Sequence, residues 1–245
     1  MSLMDKIEIP RRTMVLFFII DTSGSMDGSK IGAVNVAIEE VIPAVREVSD
    51  ENADAQIKIA ALEFSSGARW ITANGPIEAE QFRWNYLNAS GVTDFGAACK
   101  ALNDKLSTKA FMQEATGSFA PAIFLLSDGE PTDDWQTSLA TLKKNNWFKA
   151  GVKVAIAIGD DANKDVLKEF TGSMEAVLET HNAATLKKMI KFVSVRASQV
   201  ASKSSDVGDN GSSNDDEQKQ HELNANLQEF AEEIATTPDN DQLDW

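Results

Sequence analysis

Cysteine, histidine and tyrosine are nearly missing from this chain: 245 residues hold one, two and one of them. The single cysteine, Cys99, excludes a disulfide framework and a thiolate zinc site. It sits one helical turn after Phe95 among alanines and reads as a small core residue. His181, just before the closing helix, and His221, in the tail, lack the spacing of a metal pair, and no histidine is read at a strand end. A serine hydrolase would therefore lack its base, and no G-x-S-x-G is present. The apolar run Val15–Ile20 is far too short to cross a bilayer, and no stretch does better. The N-terminus, MSLMDKIEIP, has no apolar signal region. Residues 1–12 read as a leader, with 1–3 ahead of a second methionine resembling a cloning scar. Positive charge is also scarce, 23 Lys and Arg against 38 Asp and Glu. From residue 201 onward twelve acids face only Lys203 and Lys219, so ten of the fifteen net negative charges lie there. A nearly neutral body with an acidic tail speaks against nucleic acid and anionic membrane as partners. A cytoplasmic location is expected.

What the chain does have is alternating strand and helix signals over about 190 residues. Val15–Ile20 is continuously apolar, the mark of a central parallel strand buried on both faces. Ile31, Val34, Ile38, Val41, Ile42 and Val45 follow at helical spacing. Residues 55–64 form a second strand, with a short antiparallel edge strand at 68–71. A helical turn is expected at 77–81 and a helix from Phe95 to about Leu106. A second fully apolar strand occupies 120–127, APAIFLLS. A helix over 135–150, a strand over 152–158, a helix over 164–170, a short strand at 176–178 and a closing helix over 183–201 complete the pattern. The fold class is α/β: a doubly wound, mostly parallel sheet flanked by helices. Residues 13–201 form one domain. Residues 202–220, almost without apolar side chains, read as a flexible linker. Residues 221–245 form an acidic tail with a short amphipathic helix on Leu223, Leu227, Phe230 and Ile234.

In such a sheet, ligands sit beyond the carboxyl ends of the strands. The first strand runs directly into Asp21-Thr22-Ser23-Gly24-Ser25. The third parallel strand runs into Asp128-Gly129. The loop Ser90-Gly91-Val92-Thr93 opens the helix between them. Asp21, Ser23, Ser25, Thr93 and Asp128 can therefore converge on one point. They are all oxygen donors, as hard divalent cations such as Mg²⁺ require, and two carboxylates there need a cation between them. The bland alternative is a polar turn whose side chains satisfy backbone amides. Asp27, Asp94, Glu130, Asp133 and Asp134 read as a rim or as helix caps, and Asp160 and Asp161 as a turn. Gly24 to Lys30, GSMDGSK, does not satisfy the phosphate-loop pattern.

Asp21-Thr22-Ser23-Gly24-Ser25, Thr93 and Asp128, in this order, resemble the three motifs of the metal-ion-dependent adhesion site of the von Willebrand factor A (vWA) family. The run Asp128-Gly129-Glu130-Pro131-Thr132-Asp133-Asp134-Trp135 is similar to bacterial tellurium-resistance TerY-type proteins. Some of these carry a cysteine-rich zinc module that this chain lacks. The resemblance implies that Ser23 and Ser25 bind Mg²⁺ (alternatively Mn²⁺ or Ca²⁺) directly. Asp21 and Asp128 would bind it directly or through water, and Thr93 would join in a high-affinity state. A protein partner's Glu or Asp would complete the shell. The expectation is a non-enzymatic binding module in a tellurite or stress-response complex. Two alternatives stand beside it: a Mg²⁺-dependent phosphatase, and a module whose own acidic tail occupies the metal.

Overall fold

The computed structural model describes residues 11–52, 55–113, 117–180, 182–201 and 214–236. At the centre of the described residues is a seven-stranded sheet of β1 (Arg12–Asp21), β2 (Ala55–Ser65), β3 (Gly67–Trp70), β4 (Ile77–Glu78), β5 (Ala122–Ser127), β6 (Val152–Ile158) and β7 (Val177–Thr180), in the order β3-β2-β1-β5-β6-β7 with β4 also paired to β2. Its middle strand, β1 (Arg12–Asp21), is buried at every position after Arg12. That is what an apolar run without alternation requires. β1 pairs in parallel with β2 (Ala55–Ser65) on one side and with β5 (Ala122–Ser127) on the other. β6 (Val152–Ile158) and β7 (Val177–Thr180) extend the parallel part.

Residues of β1 point alternately into two cores. Met14, Leu16, Phe18 and Ile20 pack with Val34, Ile38 and Val41 of α1 (Ser29–Glu51) and with Leu186, Ile190 and Val193 of α6 (Ala183–Ala201). Val15, Phe17 and Ile19 face the opposite layer. There they meet α2 (Phe95–Lys105) through Phe95 and Leu102, α3 (Trp135–Leu142) through Leu139, α4 (Asn146–Ala150) through Phe148, and α5 (Lys164–Thr171) through Phe170. The result is a three-layer α/β/α sandwich. Cys99 is buried in the second layer, and burial pushes its thiol well above the ordinary range.

Three local features differ from the sequence expectations. β3 (Gly67–Trp70) is the expected antiparallel hairpin partner of β2, but residues 77–81 are not simply a helical turn. Ile77–Glu78 form β4, also antiparallel to β2, and only then does the chain turn, with the Phe82 N–H donating to the Glu78 carbonyl at 2.9 Å. The edge of β2 has room for two short partners, and edge pairing outweighs a weak local helical signal. The helix expected over 135–150 is two helices, α3 and α4, because Asn145 leaves the first and caps the second. Its side-chain oxygen accepts from the Trp147 and Phe148 N–H groups at 2.9 and 3.4 Å.

The third difference is α7 (Asn214–Thr236), which begins inside the stretch read as linker. Composition alone hides what holds it. The Gln220 side chain accepts from the Lys153 N–H at 2.9 Å and donates to the Lys153 carbonyl at 3.1 Å. Leu223 and Leu227 are fully buried in the α1–α6 core. Phe230 stacks on Phe192 of α6 at a 3.9 Å centroid distance. Residues 1–10 of the leader, the stretch 202–213, His181 and the end of the acidic tail from 237 onward lie outside the described residues.

Candidate functional site

The strand order places β2 and β5 on opposite sides of β1, so the chain reverses its winding direction between β1 and β5. A crevice opens at such a switch point, beyond the carboxyl ends of the strands. Asp21 is the last residue of β1, and Asp128 directly follows β5. Both are buried, at 0% and 1% exposure. Among the described residues, the cation beside this pair is Lys30, whose Nζ lies 3.5 Å from Asp128 Oδ2.

Asp21 is held from two sides. Its Oδ2 accepts from the Ser127 hydroxyl at 2.6 Å, and its Oδ1 accepts from the Ser23 N–H at 2.9 Å. Burial raises its pKa above the ordinary aspartate value. The two serines' hydrogen bonds oppose that shift, and the Asp128 charge adds to it. Ser127 also accepts from the Gly129 N–H at 2.7 Å, which links the two strand ends through one hydroxyl. The Asp128 carboxylate is less well satisfied: its Oδ1 is buried with no hydrogen-bond partner among the described residues. A buried carboxylate oxygen left this way is costly unless something positive reaches it.

After Asp21, the chain makes a single 3-10 turn over Gly24–Met26. Ser23 is buried and Ser25 exposed, and their hydroxyl oxygens lie 3.0 Å apart. The Thr93 loop is bound to this turn by its backbone. The Gly24 N–H donates to the Gly91 carbonyl at 3.0 Å, and the Ser90 N–H to the Thr22 carbonyl at 2.8 Å. Gly91 is required here: it has φ +83°, and a Cβ would come within 2.5 Å of Ser66 Oγ. Thr93 is buried, and its backbone is engaged in both directions by Thr132. Its N–H donates to Thr132 Oγ1 at 3.1 Å, and its carbonyl accepts from the Thr132 N–H at 2.8 Å. The loops carrying Ser23–Ser25, Thr93 and Asp128–Thr132 are thus fastened to one another.

The extended segment that delivers the Thr93 loop is clamped to α1 by buried Asn35. Its amide donates to the Leu87 carbonyl at 2.9 Å, and its oxygen accepts from the Leu87 N–H at 2.8 Å and from the Trp84 indole at 3.2 Å.

The surrounding acids separate into distinct tasks. Asp133 caps α2, accepting from the Gly96 and Ala97 N–H groups at 2.9 and 3.1 Å. Asp134 caps α3 by accepting from the Thr137 N–H. Asp94 accepts from the Gly67 N–H at 2.8 Å. Asp27 and Glu130 are exposed at the rim. Asp161 is more than a turn residue, because Lys30 donates to it at 2.9 Å.

Sequence reasoning missed Ser127, Thr132, Asn35 and Lys30. The first two lie beside motif residues, as Leu126-Ser127-Asp128 and Pro131-Thr132-Asp133, and a strand-end hydroxyl facing a carboxylate is a readable signal. Asn35 and Lys30 carry none, since each acts through a distant part of the chain. Among the described residues no three His, Cys, Asp or Glu side chains gather into a cluster. A cation here would depend on two carboxylates with hydroxyls. That donor set suits a hard divalent ion, and the orphaned Asp128 Oδ1 is a group such an ion would satisfy.

A three-layer α/β fold with an oxygen-lined crevice at the switch point defines a class of ligand-binding domains. Within it, the model of the von Willebrand factor type A domain matches residues 16–192, and the chain belongs to that family. Among solved structures it is similar to a von Willebrand factor type A protein from Catenulispora acidiphila, at TM-score 0.56 and 20% identity over 76% of this chain and 43% of that one. It is also similar to proximal thread matrix protein 1 of the mussel byssus with a zinc-occupied MIDAS motif, at TM-score 0.55 and 15% identity over 77% and 48%. The ArnB paralog VWA2 from Sulfolobus acidocaldarius matches at TM-score 0.53 and 18% identity over 72% and 44%. The chain thus spans less than half the length of these three proteins. No curated protein matches it significantly. Among the described residues no helix is long and apolar enough to cross a membrane.

Proposed function

We propose that this chain is a non-enzymatic protein-binding module that captures an acidic side chain of a partner through a divalent cation. Asp21, Ser23, Ser25, Thr93 and Asp128 would hold the ion, with Mg²⁺ as the first candidate and Mn²⁺ or Ca²⁺ as alternatives. When bound, the ion supplies a positive coordination position that a Glu or Asp of the partner protein can fill. The chain's own residues do the rest. Ser127 and the Ser23 N–H fix the Asp21 carboxylate, and the fastened loops hold the hydroxyls in place without the partner.

The observation that carries the reading is the buried, unpartnered Asp128 Oδ1 on the strand end beside buried Asp21. Membership of a family with metal-dependent adhesion sites supports it. The test is partner capture from cytoplasmic extract by the parent chain and by Thr93→Ala, each with Mg²⁺ and with EDTA. The reading expects capture only by the parent with Mg²⁺; capture indifferent to both EDTA and the substitution rejects it. Steady phosphate-ester turnover that Asp21→Asn abolishes would replace it with the phosphatase alternative. Occupation of the site by the chain's own acids is separated by truncation after Thr236, which tightens capture only if residues 237–245 compete.

The tellurite and stress-response setting rests on the Asp128–Trp135 run alone, and a cytoplasmic location on the single cysteine and the absence of an apolar signal region. Loss of the gene without loss of tellurite tolerance removes that setting and leaves the binding reading standing.

A further inference from the structure

Lys30 lies in the first turn of α1, yet its ammonium belongs to the far side of the crevice. Nζ is 2.9 Å from Asp161 Oδ1 and 3.5 Å from Asp128 Oδ2. Its side chain is 13% exposed, against 2% for Asp128 and 74% for Asp161. The fold makes way for it at Gly159, φ +92°, where a Cβ would come within 2.7 Å of Lys30 Cε. The loop carrying Gly159 and Asp161 is fixed beside the site, since the Asn163 N–H donates to the Asp128 carbonyl at 2.7 Å. The two oxygens of one buried carboxylate thus have different surroundings: Oδ2 faces a lysine, and Oδ1 has no hydrogen-bond partner among the described residues.

We infer that Lys30 is the resident counter-cation of the site, positioning Asp128 and setting how tightly a divalent ion is held. This rests on the reading of the five residues as a cation site. Without an ion, two buried carboxylates repel, and one positive charge near Asp128 relieves part of that cost. When a divalent ion approaches, the same ammonium repels it and competes for Asp128. Asp161 adjusts the competition, because an exposed carboxylate 2.9 Å away draws the ammonium outward from the site. Two substitutions should therefore act in opposite directions. Removing the Lys30 charge favours the ion, whereas removing the Asp161 charge leaves the ammonium to Asp128 alone and disfavours it.

The test is direct Mn²⁺ binding by the full chain, read by the electron paramagnetic resonance signal of the free ion, with thermal melts in EDTA as an ion-free readout. Lys30→Gln should bind Mn²⁺ about tenfold tighter, as expected for loss of one like charge at the edge of a partly buried site. It should also melt lower than the parent in EDTA. Lys30→Arg, which keeps the charge, should bind within about threefold of the parent. Asp161→Asn should bind more weakly. A folded Lys30→Gln with unchanged or weaker Mn²⁺ affinity overturns the inference. If Lys30→Gln does not fold, Asp161→Asn decides, and an affinity equal to or above the parent's overturns it. A parent chain that binds no Mn²⁺ removes the cation-site reading and this inference together, a result distinct from a binding parent with indifferent variants.

Discussion

Replacing Asp21 with Asn separates the proposed metal role of this carboxylate from its structural role. Asp21 is fully buried, accepts from Ser127 and from the Ser23 N–H, and is raised in pKa by burial. Asn has the same size, but its amide nitrogen cannot accept, so one of the two hydrogen bonds to a charged acceptor is lost, a cost of about 1.5–3 kcal/mol. Against this, the substitution removes a buried negative charge beside Asp128, which relieves desolvation and repulsion of similar size. Melting in EDTA should then move by no more than about 4 °C. An ion bound only by the folded chain, supplied at a hundred times its Kd, stabilises the parent by ~2.7 kcal/mol. For a chain of this length that is about 5–10 °C. Asp21→Asn should lose the whole increment. The assay is a pair of thermal melts, in EDTA and in saturating Mg²⁺ or Mn²⁺, followed by circular dichroism. An Asn variant that keeps the parent's increment refutes the placement of the ion at Asp21.

Acidification acts on the same carboxylate. Because its folded pKa is raised, the ion-free folded chain holds more protons than the unfolded chain between the ordinary aspartate value and the raised one, so Asp21's contribution to stability falls as pH rises through that window. An ion needs the deprotonated form, so its affinity should weaken as pH falls into the same window. Titrations at stepped pH check this, and an affinity that holds until the ordinary aspartate range contradicts it. Asn35→Ala strands Leu87 and Trp84 polar groups and should destabilise the chain by about 2–4 kcal/mol in urea, with faster hydrogen exchange over 84–91. Leu227→Ala should cost about 2–4 kcal/mol while leaving ion affinity unchanged. α7 is anchored at Lys153, at the start of β6, whereas the site lies beyond the strands' opposite ends; a matched loss of ion affinity would contradict that separation.

The layered fold was readable because burial on both faces writes itself into β1 and β5 as unbroken apolar runs, and because helix signals alternate with them. That Asp21 and Asp128 sit at strand ends, and Thr93 in the loop opening a helix, is readable for the same reason. What stayed hidden depends on partners remote in sequence. Nothing near Ile77 announces that β2 has an open edge to pair with, and nothing near Asn214 shows that Gln220 binds the Lys153 backbone. Lys30 looked like a failed phosphate-loop lysine, since its purpose is set by Asp161 some 131 residues away. Asp133 and Asp134 were correctly suspected as caps, because a cap is a local device.

The loops around the crevice are joined chiefly through main-chain groups: Gly24 to Gly91, Ser90 to Thr22, Thr132 to Thr93 and Asn163 to Asp128. Amides and carbonyls are common to nearly every residue, so these ties do not care which side chains stand on the rim. Val92 and Glu130 are exposed, so exchanging them leaves these ties in place, and the margin can vary in sequence while the floor beneath stays the same.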